Sequence, residues 1–151
     1  MYDNILIPTD GSDVAENAID HAIDLARRYD ATLHALYVVD IDAIDISLGT
    51  EQVQRIKGGQ FGEMTELKAR ATAATSSVTE QADDLEVIES VEAGQPHRVI
   101  DSYATANGID LVVMGSAGRS GVRRAILGSV AERTLRTTQL PVLVVDARGD
   151  D

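Results

Sequence analysis

The sequence predicts an α/β domain built on a doubly wound, five-stranded parallel sheet with helices on both faces. Two observations carry this expectation. Short, nearly continuous apolar runs recur along the chain, among them "NILIP" at 4–8, "LYVVD" at 36–40, "DLVVMG" at 110–115 and "LPVLVV" at 140–145. Between them the apolar residues fall at helical spacing. Strands that are apolar on both sides belong in a parallel sheet covered twice, because the helical crossovers lie on its faces.

The first strand is 4–8, closed by the turn signal Pro-Thr-Asp-Gly. Ala15, Ala18, Ile19, Ala22, Ile23 and Ala26 then form the buried stripe of an amphipathic helix, with Asp13, Glu16, Asn17, Asp20, Asp24 and Arg27 facing away. A second strand spans 31–40. The stretch 41–62 is less regular, and its "GGQFG" (58–62) reads as a connector or lid, since no strand feeds it. Met64, Leu67, Ala71, Ala74, Val78 and Ala82 mark a long helix. A third strand at 85–93 alternates imperfectly through Leu85, Val87, Glu89, Val91 and Glu92. Pro96 suits a first helical position, and Val99, Ile100, Tyr103 and Ala104 form the buried face of that helix. A turn and a fourth strand follow at 107–115, then a last helix around Val130 and Leu135, and a fifth strand at 140–147.

At 151 residues the chain suits one domain, 1–151, large enough for a single core. It has no cysteine, which excludes disulfides, thiolate catalysis and cysteine-ligated metals. The start lacks the basic head and apolar run of a signal peptide, and no apolar stretch approaches the ~18 residues of a membrane span, so a cytoplasmic protein is expected. The 25 acidic and 13 basic residues give a net charge of −12. Nucleic-acid binding is disfavoured, because a phosphate backbone is held by clustered Lys and Arg. The acids are mostly aspartate, and Lys57 and Lys68 are the only lysines, a balance that resembles proteins of salt-loving organisms.

Ligands of such sheets sit beyond the carboxyl ends of the strands, where the strand order reverses. The loops after Ile7 and Met114 are therefore the first candidates. The second of these, "MGSAGRSGVRRAILGSV" (114–130), is built from glycine, serine and arginine in an otherwise acidic chain. Gly115 ends a strand, where a missing side chain lets the backbone turn and a ligand approach. Ser129 opens a helix whose free amides and positive dipole end favour an anion. Arg119, Arg123 and Arg124 either add charge or are simply solvated. Ser129-Val130-Ala131-Glu132 also matches a capping box, a reading compatible with phosphate contact. There is no G-x-x-x-x-G-K-[ST] and no G-x-G-x-x-G after the first strand, which disfavours P-loop and dinucleotide-binding proteins.

Residues 108–145, with Gly115-x2-Gly118-x9-Gly128-Ser129, resemble the signature end of the universal stress protein family in its nucleotide-binding branch. "YDNILIPTDGSDVAENAIDHAIDLA" matches that family's first strand and helix, and the stretch 41–80 matches least. The resemblance implies a Rossmann-like fold of the adenine nucleotide alpha hydrolase type. It also implies ATP, or AMP or ADP, as ligand, with Mg carried by the nucleotide.

By the same resemblance, Gly115, Gly118, Gly128 and Ser129 hold ribose and phosphates, with Val130 as backbone donor and Arg119 beside them. Pro8, Thr9 and Asp10 contact adenine and ribose, Val39 and Met114 line the adenine pocket, and Asp10 is the candidate metal contact. Asp10 also suits a local Asx-turn or cap, and Val39 and Met114 also suit a plain core. The family implies a homodimer through the last strand, 141–146, and an apolar edge strand there agrees.

His21, His34 and His97 lie on separate elements without a nucleophile or ligand motif, so they are expected to be structural. Nucleotide binding without efficient turnover, coupled to an unknown protein partner, is the expected function. The alternatives are an interaction module without nucleotide and a slow ATPase or adenylating enzyme. The last is disfavoured because "PTDGSD" stands where such enzymes carry an S-G-G-x-D-S type loop.

Overall fold

The computed structural model describes residues 1–40, 65–116 and 127–146. Five strands, β1 (Asn4–Pro8), β2 (Thr32–Asp40), β3 (Val87–Gly94), β4 (Leu111–Gly115) and β5 (Val142–Val145), form one sheet in the order β3-β2-β1-β4-β5. Every pairing is parallel. The helices between them are α1 (Asp13–Tyr29), α2 (Thr65–Gln81), α3 (Pro96–Ala106) and α4 (Ser129–Thr137). No helix among the described residues is long and apolar enough to cross a membrane.

Strand pleating divides the core into layers. Ile5 and Ile7 of β1, Leu33 and Ala35 of β2, and Leu111 and Val113 of β4 pack with the alanine and isoleucine stripe of α1 and with Val78 and Ala82 at the end of α2. The intervening residues Leu6, Leu36, Val112 and Met114 pack with Ile100, Tyr103 and Ala104 of α3 and Ala131 of α4. Helices thus cover both faces, as the doubly apolar strands require. All six residues of the expected α1 stripe are buried.

The last helix, α4, forms where expected, around Val130 and Leu135; its buried residues are Ala131 and Thr134, while Leu135 is exposed. The helix is short and lies at the flank of the sheet, so a stripe two small residues wide suffices. In β3 one expectation needs correction: Leu85 and Val87 pack against the core, but Val91, of the same alternating set, is exposed. β3 is an edge strand, and Glu89 turns to α2, where it accepts hydrogen bonds from Thr75 and Thr79. That interrupts the alternation.

Polar groups fix the layers. Asp110 Oδ2 accepts from the backbone N–H of Asp3 (2.8 Å) and Asn4 (3.0 Å), tying the chain start to β4. Glu16 of α1 accepts from Ser77 and Gln81 of α2, each at 2.9 Å. His34 is buried between Asn4 and Tyr103. Its Nε2 donates to Asn4 Oδ1 (3.0 Å), which leaves Nδ1 to accept from the Tyr103 hydroxyl (2.8 Å). Burial holds its pKa below the ordinary value. The expectation of a structural histidine agrees with this geometry.

Candidate functional site

The chain winds from β1 outward to β3, then returns to lay β4 on the other side of β1, so the order reverses between β1 and β4. Over that point lies a crevice of about 410 Å³, within the range of small-molecule sites. Its floor follows from register. β1 stops at Pro8, opposite Leu36, whereas β2 runs four residues further, to Asp40, paired only with β3. Among the described residues, the flank of Tyr37–Asp40 that faces away from β3 therefore has no strand beside it, and it forms one side of the crevice. The end of β4, Met114 and Gly115, and the amino end of α4 form the other.

Of the eleven residues singled out as ligand contacts, Pro8, Thr9, Asp10, Val39, Met114, Gly115, Gly128, Ser129 and Val130 line this crevice. Gly118 and Arg119 lie outside the described residues, as do Arg123, Arg124 and the 58–62 glycine run.

The loop after β1 is ordered by its own side chains. Thr9 donates its N–H to the Leu36 carbonyl (2.9 Å), and Thr9 Oγ1 accepts from Gly11 N–H (3.2 Å). Asp10 Oδ1 accepts from Ser12 N–H (2.9 Å), the Asx-turn that the Asp-Gly-Ser sequence allows. Ser12 is the N-cap of α1, its hydroxyl accepting from Ala15 N–H at 3.3 Å.

The amino end of α4 differs. The capping box expected at Ser129 is not formed: Gly128 is the N-cap, Ser129 is the first helical residue, and no side chain caps the helix. The first intrahelical bond runs from Glu132 N–H to the Gly128 carbonyl, 3.0 Å. The amides of Ser129, Val130 and Ala131 precede it, which makes them the donors a helix leaves without intrahelical partners. All three residues line the crevice. Ser116, at the end of β4, is held at three points. Its carbonyl accepts from Gly128 N–H (2.7 Å), its own N–H donates to the Val145 carbonyl (2.9 Å), and its hydroxyl donates to Asp146 Oδ1 (2.9 Å).

Several crevice residues were not singled out from the sequence. Ile100 and Pro96 reach it from α3, and Leu67 and Arg70 from α2. Asp40, at the end of β2, also lines it. The helical spacing of Leu67 and Ala71 was visible, but nothing local tells which turn of a helix overhangs a ligand.

The crevice therefore joins two chemistries. Apolar lining from both faces of the sheet, Val39 from the α2 side and Ile100 and Met114 from the α3 side, suits a flat aromatic group, and the bare end of α4 suits an anion. Among the described residues no group of three His, Asp or Glu side chains could hold a metal ion.

Comparison with known proteins gives concordant results. The sequence model of the Universal stress protein family matches residues 1–146. Universal stress protein MJ0531 of Methanocaldococcus jannaschii is 37% identical over 148 residues, 96% of this chain and 82% of that protein. The solved structure of MJ0577, from the same organism, superposes with a TM-score of 0.77 at 28% identity, covering 99% of both chains. A family protein from Arabidopsis thaliana, solved with AMP bound, gives a TM-score of 0.69 at 15% identity over 98% of this chain and 94% of the other.

Proposed function

The chain belongs to the universal stress protein family, and on that premise we propose that it is a cytoplasmic, homodimeric protein that binds an adenine nucleotide in the crevice over β1, β2 and β4. The observation that carries this reading is the uncapped amino end of α4, whose first amides open onto a crevice with an apolar far side. A helix start closed by a serine or aspartate would have used one of those donors internally. Here they are left for a phosphate. The fold is one that holds AMP in the Arabidopsis protein.

In this reading the phosphates and ribose lie along Gly115, Gly128, Ser129 and Val130, together with Gly118 and Arg119 of the loop outside the described residues. The base lies against Val39 and Met114, and Pro8, Thr9 and Asp10 contact base and ribose. ATP accompanied by Mg is the nucleotide we favour, with Asp10 nearest the metal. Turnover is not part of the proposal. The carboxylates lining the crevice are Asp10 and Asp40, and Asp10 is already engaged by the Ser12 amide. Dimerisation through 141–146 is supported by the outermost position of β5 and the exposure of Leu143. The nucleotide would then set which partner protein the dimer accepts.

The test is to denature purified protein, identify any released nucleotide by chromatography and mass spectrometry, and titrate the emptied protein with Mg-ATP, ADP and AMP at high salt. Release of an adenine nucleotide or a saturable heat signal is expected. An empty crevice with no heat from any of the three would leave an interaction module without nucleotide. Phosphate release at more than a few turnovers per minute would restore the enzyme reading.

A further inference from the structure

We propose that Arg70 of α2 is a base-binding residue, its guanidinium plane lying against the purine at the β2 end of the crevice. The inference rests on the nucleotide reading above and assigns a contact that no sequence motif marks. Arg70 is the only cation among the described residues that line the crevice. Its side chain is exposed, and it forms no ion pair with any described residue.

Its position on the fold decides what it meets. Ala71 and Ala74, on the buried side of α2, pack with Tyr37 and Val39 of β2, and Leu67 packs beside them. Leu67 and Arg70 are three residues apart, neighbours on one helix face, and both line the crevice above the free flank of β2. The bare end of α4 lies over β4. β1 intervenes between β2 and β4, and α2 and α4 pack on opposite faces of the sheet, so the two ends of the crevice are separated by at least about 10 Å at ordinary strand spacing. A nucleotide that places its phosphates at α4 therefore reaches β2 with its base. An arginine meant for the phosphates belongs at the other end.

The chemistry agrees with the placement. A guanidinium is planar, weakly hydrated and stacks on aromatic faces, whereas an ammonium is a compact, strongly hydrated point charge. Val39 and Leu67 supply apolar contact, and Arg70 adds the charge that a π face attracts.

The experiment is isothermal titration of adenosine, AMP and Mg-ATP into the wild-type protein, Arg70→Ala and Arg70→Lys, with thermal melting to verify the fold of each. The expected result is that Arg70→Ala weakens all three ligands by the same factor, about 5- to 30-fold. Arg70→Lys should recover little of it. A loss confined to AMP and ATP would move the guanidinium to the phosphates and overturn the proposal. So would affinities unchanged within about twofold, or full rescue by lysine. A wild-type protein that binds none of the three overturns the nucleotide reading itself, and this assignment with it. Wild-type binding with an indifferent Arg70→Ala sinks the assignment alone.

Discussion

A Cβ on Gly115 would stand 2.6 Å from Val14 Cγ1 and 3.2 Å from the Val14 backbone. The glycine that ends β4 is thus required by the first turn of α1, which closes over it from the neighbouring crossover. The sequence suggested a different reason, room for a ligand. The two are compatible, because Gly115 also lines the crevice. The packing requirement holds without any ligand.

Gly115→Ala is therefore expected to destabilise the protein by about 1–3 kcal/mol, the usual cost of overpacking, since the side chain of Val14 can rotate but its backbone must shift. Urea denaturation of the nucleotide-free protein measures it. A change below about 0.5 kcal/mol would mean that α1 yields freely at this point.

Ser129→Ala separates capping from binding. With Gly128 as the cap, removal of the hydroxyl should change stability by less than about 0.5 kcal/mol and weaken Mg-ATP binding several-fold, by about 3- to 10-fold. Melting and titration of one preparation suffice. A stability loss near 1 kcal/mol with unaltered affinity is the signature of a capping serine.

His34 makes stability depend on pH with a definite sign. Burial depresses its folded-state pKa below 6.5, so as pH falls through 6.5 the unfolded chain takes up the proton first. The stability contributed above that pH is lost progressively until the folded imidazole is protonated as well. Unfolding free energy should fall between pH 7.5 and 5. In His34→Leu, which strands the Asn4 and Tyr103 partners, stability at pH 7.5 should be lower but the slope flatter. An unchanged slope would assign the titration to another group.

Asp110 closes the start of the chain onto β4. Asp110→Ala should cost about 1–3 kcal/mol, because two backbone donors lose their acceptor, and Asp110→Asn, which keeps a carbonyl oxygen, should cost less. Hydrogen exchange at Asn4 should accelerate in the alanine variant. Equal losses for the two variants would point to the charge rather than the hydrogen bonds.

The surface acids give a fifth expectation. With a net charge of −12 and exposed Asp20, Asp24, Glu80 and Asp83, a protein adapted to high salt should melt at a higher temperature as KCl is raised from 0.1 to about 2 M. A flat response removes the comparison with halophilic proteins.

The parts of the fold legible in the sequence were those that a local pattern determines. The apolar run at 4–8, the six-residue stripe of α1 and Pro96 at the start of α3 depend on neighbours within a few positions. What the chain did not declare was set by distant partners. Gly115 answers to Val14, Glu89 turns toward Thr75, and Thr134 rather than Leu135 is buried because of where α4 meets the sheet. The site divides the same way. Its glycine-serine turn has a recognisable spacing. Arg70 sits on an exposed helical face like any solvated arginine, and only the strand order brings it over β2. The cap of α4 was misplaced by one residue, because Ser-x-x-Glu reads as a box whether or not the preceding glycine takes the role.

The hydrogen bond between the Ser116 carbonyl and Gly128 N–H holds together two described residues that flank 117–126 and Leu127. A segment pinned at its neck can be lengthened, shortened or rewritten at modest entropic expense, since closure cost grows only with the logarithm of loop length. The helix beyond it keeps its pose, because Ser116 is fastened to β5 independently through Val145 and Asp146. Insertions or deletions between 116 and 128 are therefore expected to leave the sheet and the start of α4 standing.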